Sequence, residues 1–265
     1  MSSASLALAL RDSSTMLRRN LLHARRYPSL TLNLLLTPVV LLLLFVYVFG
    51  DVMSAGISGG GADRSEYVAY LVPGIVLMTI GGTVVGTAVS VSNDMTEGII
   101  ARFRTMAIHR PSVLVGHVVG SVLQSLVSVV LVGAVAVAVG FRSVAATPLE
   151  WLAALGLLAL VALALTWIAV GMGMVSPNAE AAGNNALPLI VLPFVSSAFV
   201  PVDAMPGWFR PIAEYQPFTP AIETLRGLLL GHGIGHHGWL AVAWCLGLTL
   251  LGSFWSKSVF DRDPA

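Results

Sequence analysis

Residues Tyr67–Val91, with the sequence YVAYLVPGIVLMTIGGTVVGTAVSV, run for 25 positions without a charged side chain. An α-helix rises about 1.5 Å per residue, so this stretch is long enough to cross a hydrocarbon core about 30 Å thick. Such a run is typical of a membrane-spanning helix, and it predicts that the chain folds in lipid.

The composition of the whole chain agrees with this prediction. Apolar residues make up 56% of the 265 residues and charged residues 10%, against about 25% charged residues in ordinary soluble domains. A soluble fold of this length could not cover so much apolar surface with so few charges. The net charge of +1 argues against nucleic-acid binding, which usually needs a strongly basic surface. Cys245 is the single cysteine, which excludes an internal disulfide.

Six apolar stretches are long enough, or nearly so, to span a bilayer. We therefore predict an all-α polytopic membrane protein with six transmembrane helices. The fifth stretch is the weakest because Pro188 and Pro193 interrupt it, and we expect a kinked or partly unwound helix there. The predicted spans are Leu30–Phe49, Tyr67–Val91, Pro111–Phe141, Trp151–Val175, Gly183–Val200 and Trp239–Phe254.

The distribution of basic residues predicts the orientation. Six spans place both termini on one side, which carries ten Lys and Arg residues against four on the other. Because cytoplasmic loops are enriched in Lys and Arg, both termini should be cytoplasmic. Arginine makes up 13 of the 14 basic residues, which hints at a GC-rich bacterial genome. We expect a multi-pass protein of the bacterial plasma membrane. We divide the chain into a cytoplasmic N-terminus (1–29), a transmembrane domain (30–256) and a cytoplasmic tail (257–265).

The cytoplasmic loop Ser92–Pro111 predicts a short amphipathic helix. Acidic residues lie near its start and arginines near its end, as the helix dipole favours. Such a helix either rests on lipid headgroups or docks into a groove on a cytoplasmic partner, and periodicity alone does not separate the two. Met95, Ile99, Phe103 and Met106 form the apolar face, and Asp94, Glu97 and Arg104 lie opposite.

The N-terminal stretch Ser13–Tyr27 has a weaker amphipathic pattern. Its basic side favours anchoring at an anionic membrane surface, with contact to a partner as the alternative. The four arginines on that side are Arg18, Arg19, Arg25 and Arg26.

No predicted span has a charged residue near its centre, which argues against a proton- or sodium-coupled carrier. Polar side chains form mild stripes on the second and third spans instead. Helix packing through interhelical hydrogen bonds is the favoured interpretation, and a translocation path is the alternative. The path candidates are Thr79, Thr83 and Thr87 on the second span and Ser121, Gln124, Ser125 and Ser128 on the third, where His117 shares the same face.

Residues Pro201–Gly238 are too polar and too rich in Pro and Gly to cross the membrane. We predict two short extracellular helices, Gly207–Tyr215 and Pro220–Leu230, separated by Gln216-Pro217. This segment is either an ordered interfacial loop or a lid or re-entrant element over an exit path.

The sequence contains no P-loop G-x-x-x-x-G-K-[ST], no H-E-x-x-H and no G-x-S-x-G. We therefore predict no catalytic site, metal site or cofactor on this chain. His232, His236 and His237 have a spacing that could ligate a metal, but a Gly-rich outer loop without metal is favoured.

Two stretches of sequence carry a family resemblance. One is Asp94–Arg104 (DMTEGIIARFR) followed by His109–Pro111, and the other is Phe194–Pro201 (FVSSAFVP) followed by Met205–Trp208 and by Pro217 and Arg226. With its six-span hydropathy, the chain resembles the permease of bacterial type-two ABC exporters, most closely the daunorubicin and multidrug-resistance group. Gln216-Pro217 departs from the Asn-Pro often found there.

The resemblance implies the six-helix permease fold, a second permease chain in a homodimer, and two ATP-binding subunits that hold ATP and Mg. It implies export of a hydrophobic or amphipathic drug-like compound, or alternatively of a lipid or a glycan-linked carrier. It also implies an N-terminal elbow helix and a coupling helix over Ser92–Thr105 that is seated on the ATPase. The coupling residues would be Asp94, Met95, Glu97, Gly98, Ile99, Arg102, Phe103 and Arg104.

Two other classes of protein are alternatives to a transporter. An intramembrane enzyme would need paired carboxylates, a metal cluster or a Ser/His set at membrane depth, and the sequence shows none. A membrane scaffold without transport is the remaining alternative, and it would bind no ATPase.

Overall fold

The computed structural model describes residues 28–50, 64–96, 111–143 and 147–262, and every regular element in these ranges is a helix. The all-α prediction is therefore confirmed for this part of the chain. In order, the elements are α1 (Pro28–Tyr47), α2 (Arg64–Thr96), α3 (Pro111–Val139), α4 (Pro148–Val175), α5 (Ala179–Ala186), α6 (Pro188–Val191), the 3₁₀ helices Leu192–Val195 and Val202–Ala204, α7 (Arg210–Tyr215), α8 (Phe218–Leu230) and α9 (His237–Arg262).

Among the described residues, four helices are long and apolar enough to cross a membrane. They are Ser65–Thr96, Leu114–Val139, Pro148–Val175 and His237–Asp261, and they correspond to the second, third, fourth and sixth predicted spans. The first predicted span corresponds to α1, which has 20 residues. These helices make the chain a multi-pass membrane protein, whereas the count of six spans stays a prediction.

Helix α2 extends beyond its predicted end at Val91 to Thr96. Ser92–Thr96 therefore forms the last turn of a long helix, so that Asp94 and Met95 belong to α2. The remaining coupling-helix residues, from Glu97 to Arg104, lie outside the described residues. So does the predicted elbow helix with its four arginines.

The start of α4 is fixed by its own sequence. Thr147 Oγ1 accepts a hydrogen bond from the Glu150 backbone N–H, and Glu150 Oε2 accepts one from the Thr147 backbone N–H at 2.6 Å. This reciprocal capping satisfies two amide groups that a helix start leaves free, and Pro148 needs no partner for its nitrogen. Helix α4 therefore begins three residues before the predicted span at Trp151.

The fifth predicted span is broken, as its prolines predict. Residues Ala179–Ala186 form α5, Pro188–Val191 form α6, and a 3₁₀ turn with Pro193 follows at Leu192–Val195. Each proline lacks an N–H for the preceding turn, so the helix cannot continue as one α-helical rod. Turns replace it from Ser196 onward.

Helix α2 lies at the centre of the described fold. It packs against α1, α3, α4, α5, α6 and α8, and its apolar side chains supply much of the buried core. Glycines permit the closest approaches: a Cβ on Gly81 would lie 2.6 Å from the Leu189 carbonyl oxygen, and one on Gly173 of α4 would lie 2.5 Å from that of Ala88. By contrast, α3 and α9 keep broad apolar faces exposed.

Two adjacent glycines of α2 test this packing. Gly81→Ala should lower the free energy of unfolding by about 1–3 kcal/mol, because its methyl group would overlap the Leu189 backbone. Gly82→Ala is the matched control: no atom lies within 4 Å of the added carbon, and alanine is the better helix former. Thermal unfolding in detergent measures both variants, and equal melting temperatures would contradict the close contact at Gly81.

Candidate functional site

The C-terminal end of α2 is joined to α3 by a buried polar pair. His117 Nε2 lies 3.0 Å from Asp94 Oδ2, and the two side chains are 5% and 13% exposed. Since a carboxylate only accepts hydrogen bonds, Nε2 carries the donated proton. The pair lies directly before the predicted coupling residues that follow Thr96.

A row of hydroxyl groups continues from this pair toward the middle of the helices. Thr87 Oγ1 donates to Ser121 Oγ at 2.7 Å, and Ser121 Oγ lies 3.1 Å from Thr166 Oγ1 of α4. Thr83 and Thr79 instead donate to backbone carbonyls of α2, one turn back. The bonds from Thr87 to Ser121 and from Ser121 to Thr166 are typical of helix packing in lipid.

The other path candidates lie on the same side of α3. Ser125 and Ser128 are buried, and Gln124 is partly exposed. The structure therefore brings Thr87 and Ser121 together and buries Thr79, Thr83, Ser125 and Ser128. Their assignment to a translocation path stays a prediction.

A cavity of about 240 Å³ opens on a different face of α2. Gly82 and Gly86 contribute its floor, and α1 and α6 form its walls. Its lining is mostly apolar, which suits an apolar molecule better than an ion. The lining residues are Thr37, Pro38 and Leu41 of α1, Met78, Gly82, Val85 and Gly86 of α2, and Ile190 of α6.

At the other end of α2, Arg226 of α8 hydrogen-bonds the backbone where the fifth predicted span is broken. Its Nη2 donates to the carbonyl oxygens of Ser197, at 3.1 Å, and Tyr70, at 3.0 Å. Its guanidinium lies 3.8 Å from the centre of the Tyr70 ring, and Nη1 pairs with Glu223 at 2.6 Å. The arginine is 7% exposed, so its charge is compensated inside the protein.

Ser197 has further partners around the same break. Tyr70 Oη donates to its carbonyl at 2.9 Å, and its N–H donates to Thr219 Oγ1 at 3.2 Å. Thr219 in turn donates to the Ala213 carbonyl at 2.5 Å, which ties α7 to the start of α8. Both backbone groups of Ser197 are thus satisfied by side chains from distant parts of the chain.

The two helices predicted in Pro201–Gly238 are present as α7 and α8, with starts within three residues of the prediction for α7 and two for α8. Helix α8 is buried against α2, α4 and α9, which sequence reasoning missed when it assigned Arg226 to an outer loop. The sequence signal for this burial was the spacing of Glu223 and Arg226, three residues apart on a mostly apolar helix, which allows them to pair. Within the described residues no group of three acidic, His or Cys side chains could hold a metal.

The long apolar helices are those of a multi-pass membrane protein, and a cavity lies beside the broken fifth segment. The comparisons with known proteins give the class: the ABC-2 type transporter family matches residues 12–230. The chain therefore belongs to the ABC-2 type transporter family, as a transmembrane permease.

Individual relatives are similar in sequence to this chain over most of its length. The chain is 29% identical over 256 residues to the daunorubicin resistance ABC transporter permease protein DrrB1 of Streptomyces coeruleorubidus, covering 96% of this chain and 84% of that protein. It is 25% identical to the probable doxorubicin resistance ABC transporter permease protein DrrC of Mycobacterium tuberculosis, covering 73% and 69%. Nodulation protein J of Rhizobium meliloti is 26% identical, covering 73% of both. The predicted family is confirmed.

Removal of the Arg226 guanidinium should destabilise the part of the fold around Ser197. Arg226→Leu leaves Glu223 without its cation and takes a donor from the Ser197 carbonyl, so we expect a loss of about 2–4 kcal/mol in unfolding free energy. The matched control is Arg210→Leu, because Arg210 also donates to backbone carbonyls but is exposed. Thermal unfolding of the purified variants measures the difference, and an unchanged melting temperature for Arg226→Leu would contradict the account.

Proposed function

We propose that this chain is the permease subunit of an ATP-driven exporter that moves a hydrophobic or amphipathic, drug-like compound out of a bacterial cell. The observation that carries the proposal is the family match over residues 12–230, which includes both the loop after α2 and the broken fifth segment. Two relatives are named for daunorubicin and doxorubicin resistance, which supports a cargo of that chemistry.

The energy for transport comes from partner subunits in this proposal. The sequence has no P-loop, so ATP and Mg are held by two copies of a separate ATP-binding subunit. A second permease chain completes a homodimer. The exposed apolar faces of α3 and α9 suit contact with lipid or with that second chain.

The ATP-binding subunits dock on the cytoplasmic segment Ser92–Thr105. Both termini are cytoplasmic in this orientation, which the excess of Lys and Arg on that side supports. Met95, Ile99 and Phe103 would fill a groove on the partner, with Glu97 and the arginines at its rim. The elbow helix with Arg18 and Arg25 would lie along the same membrane surface.

The cargo enters the cavity between α1, α2 and α6. Its apolar lining, with Thr37 as a hydroxyl donor, matches an amphipathic molecule, and the uncharged spans offer nothing to an ion. A lipid or a glycan-linked carrier is the alternative cargo for the same machinery. A non-transporting scaffold is the alternative function, and it would purify without an ATPase.

Filling the cavity should impair cargo recognition. The complex of this chain with its ATP-binding subunit is purified, and its ATPase rate is measured against added amphipathic drugs. Gly82→Leu should raise the concentration that gives half-maximal stimulation by about tenfold, because its side chain occupies the cavity.

Gly133→Leu on α3 is the control for the cavity variant, since it too has open space around the added carbon but does not line the cavity. If the drugs stimulate both variants equally, the cargo does not bind in this cavity. A chain that purifies without any ATPase would favour the scaffold instead.

Charge reversal in the loop after α2 tests the docking site. Glu97→Arg should abolish ATP-dependent drug efflux from cells while the amount inserted in the membrane stays unchanged, because like charges at the partner's rim repel. Glu66→Arg, the same substitution in the first turn of α2 at its opposite end, should leave efflux intact. Normal efflux by the Glu97 variant would rule out the coupling-helix assignment.

A further inference from the structure

The hydrogen bond between Asp94 and His117 joins two helix ends that bracket the loop of residues 97–110. Asp94 is in the last turn of α2, His117 is in the second turn of α3, and they are 23 residues apart in sequence. These two ends are the points at which residues 97–110 join the described helices.

The pair is strong enough to hold the ends together. At 5% and 13% exposure the two side chains have little water to replace their partner, and the donor–acceptor distance of 3.0 Å is that of a full hydrogen bond. A hydrogen bond to a carboxylate is stronger than one between neutral groups.

The same block includes the cytoplasmic ends of α4 and α9. The apolar neighbours of the pair in sequence, Val91, Leu114 and Val118, form a buried cluster with Val170 and Met174 of α4 and Phe260 of α9. Two turns deeper, the bonds from Thr87 to Ser121 and on to Thr166 join α2, α3 and α4 again. Polar bonds at two levels thus fix the α2–α3 contact against sliding and separation.

We propose that Asp94 and His117 are positioning residues for energy coupling, which rests on the proposed function. The pair clamps the ends of α2 and α3, so that force applied to the loop by the ATP-binding subunit moves both helices as one body. Without the clamp, the loop moves by separating the two helix ends, and ATP hydrolysis proceeds without transport.

The test is the coupling ratio, defined as cargo molecules transported per ATP hydrolysed, in proteoliposomes that hold the permease with its ATP-binding subunit. His117→Ala should lower this ratio about tenfold, the effect of losing one charge-assisted hydrogen bond, while the KM for ATP stays within about twofold. His117→Gln, whose amide can donate in place of Nε2, should recover most of the ratio. The exchange Asp94→His with His117→Asp should recover it as well.

The matched control is Ser256→Ala. Ser256 is fully buried in α9 and donates to the Trp167 carbonyl of α4 at 3.0 Å, so its loss removes one interhelical bond that does not join α2 to α3. Its coupling ratio should equal that of the unchanged protein. A reduced ratio in this control equal to that of His117→Ala would assign the effect to general loosening and overturn the clamp.

A distance measurement tests the clamp without reference to transport. Spin labels at the exposed positions Asn93→Cys on α2 and Val115→Cys on α3, in a Cys245→Ser background, report the separation of the two ends. That distance should be the same with and without ATP, and His117→Ala should make it broad and nucleotide-dependent. A nucleotide-dependent distance in the protein with Asp94 and His117 intact would overturn the clamp.

The two proposals fail in distinguishable ways. If the unchanged complex hydrolyses ATP but moves no cargo, the proposed function fails and the clamp fails with it. If that complex transports and His117→Ala keeps the full coupling ratio, the clamp alone is overturned.

Discussion

A helix broken within a predicted membrane span must find partners for its free backbone groups inside the protein, because lipid offers none. The described fold depends on how it meets this requirement at Ser197. The carbonyl there accepts from Arg226 and Tyr70, and the N–H donates to Thr219. Since a guanidinium has several donors in one plane, a single arginine bonds the broken segment and α2 while it pairs with Glu223. Helix α8 is thereby held inside the bundle.

Helix α2 connects this break to every other part of the candidate site. Its 33 residues carry Tyr70 beside the break, Gly82 at the cavity, and Asp94 at the pair with His117. One face is joined to α3 by the hydroxyl bond from Thr87 to Ser121, whereas another is open to the cavity. The end of α2 next to Asp94 and the break at Ser197 are therefore linked by one continuous helix.

Hydropathy predicted the long helices because crossing a membrane is a property of local sequence, and Pro188 and Pro193 predicted the broken fifth segment for the same reason. The end of α2 at Thr96 escaped prediction because the polar residues after Val91 are held in the helix by tertiary contact, with Asp94 bonded to His117. The burial of Arg226 escaped it too. Its carbonyl partners are 156 and 29 residues away, a distance that no local pattern encodes, and the Pro- and Gly-rich composition around it indicated a loop.

In the proposed function, transport depends on ATP hydrolysed by a partner subunit, because this sequence contains no nucleotide-binding motif. The most direct measurement is the flux of a fluorescent amphipathic drug across proteoliposomes that hold this chain with its ATP-binding subunit. The account predicts flux only when both proteins, ATP and Mg are present, and none from either protein alone. Equal flux from the permease without ATP, or steady ATP hydrolysis by the complex with no drug moved, would contradict it.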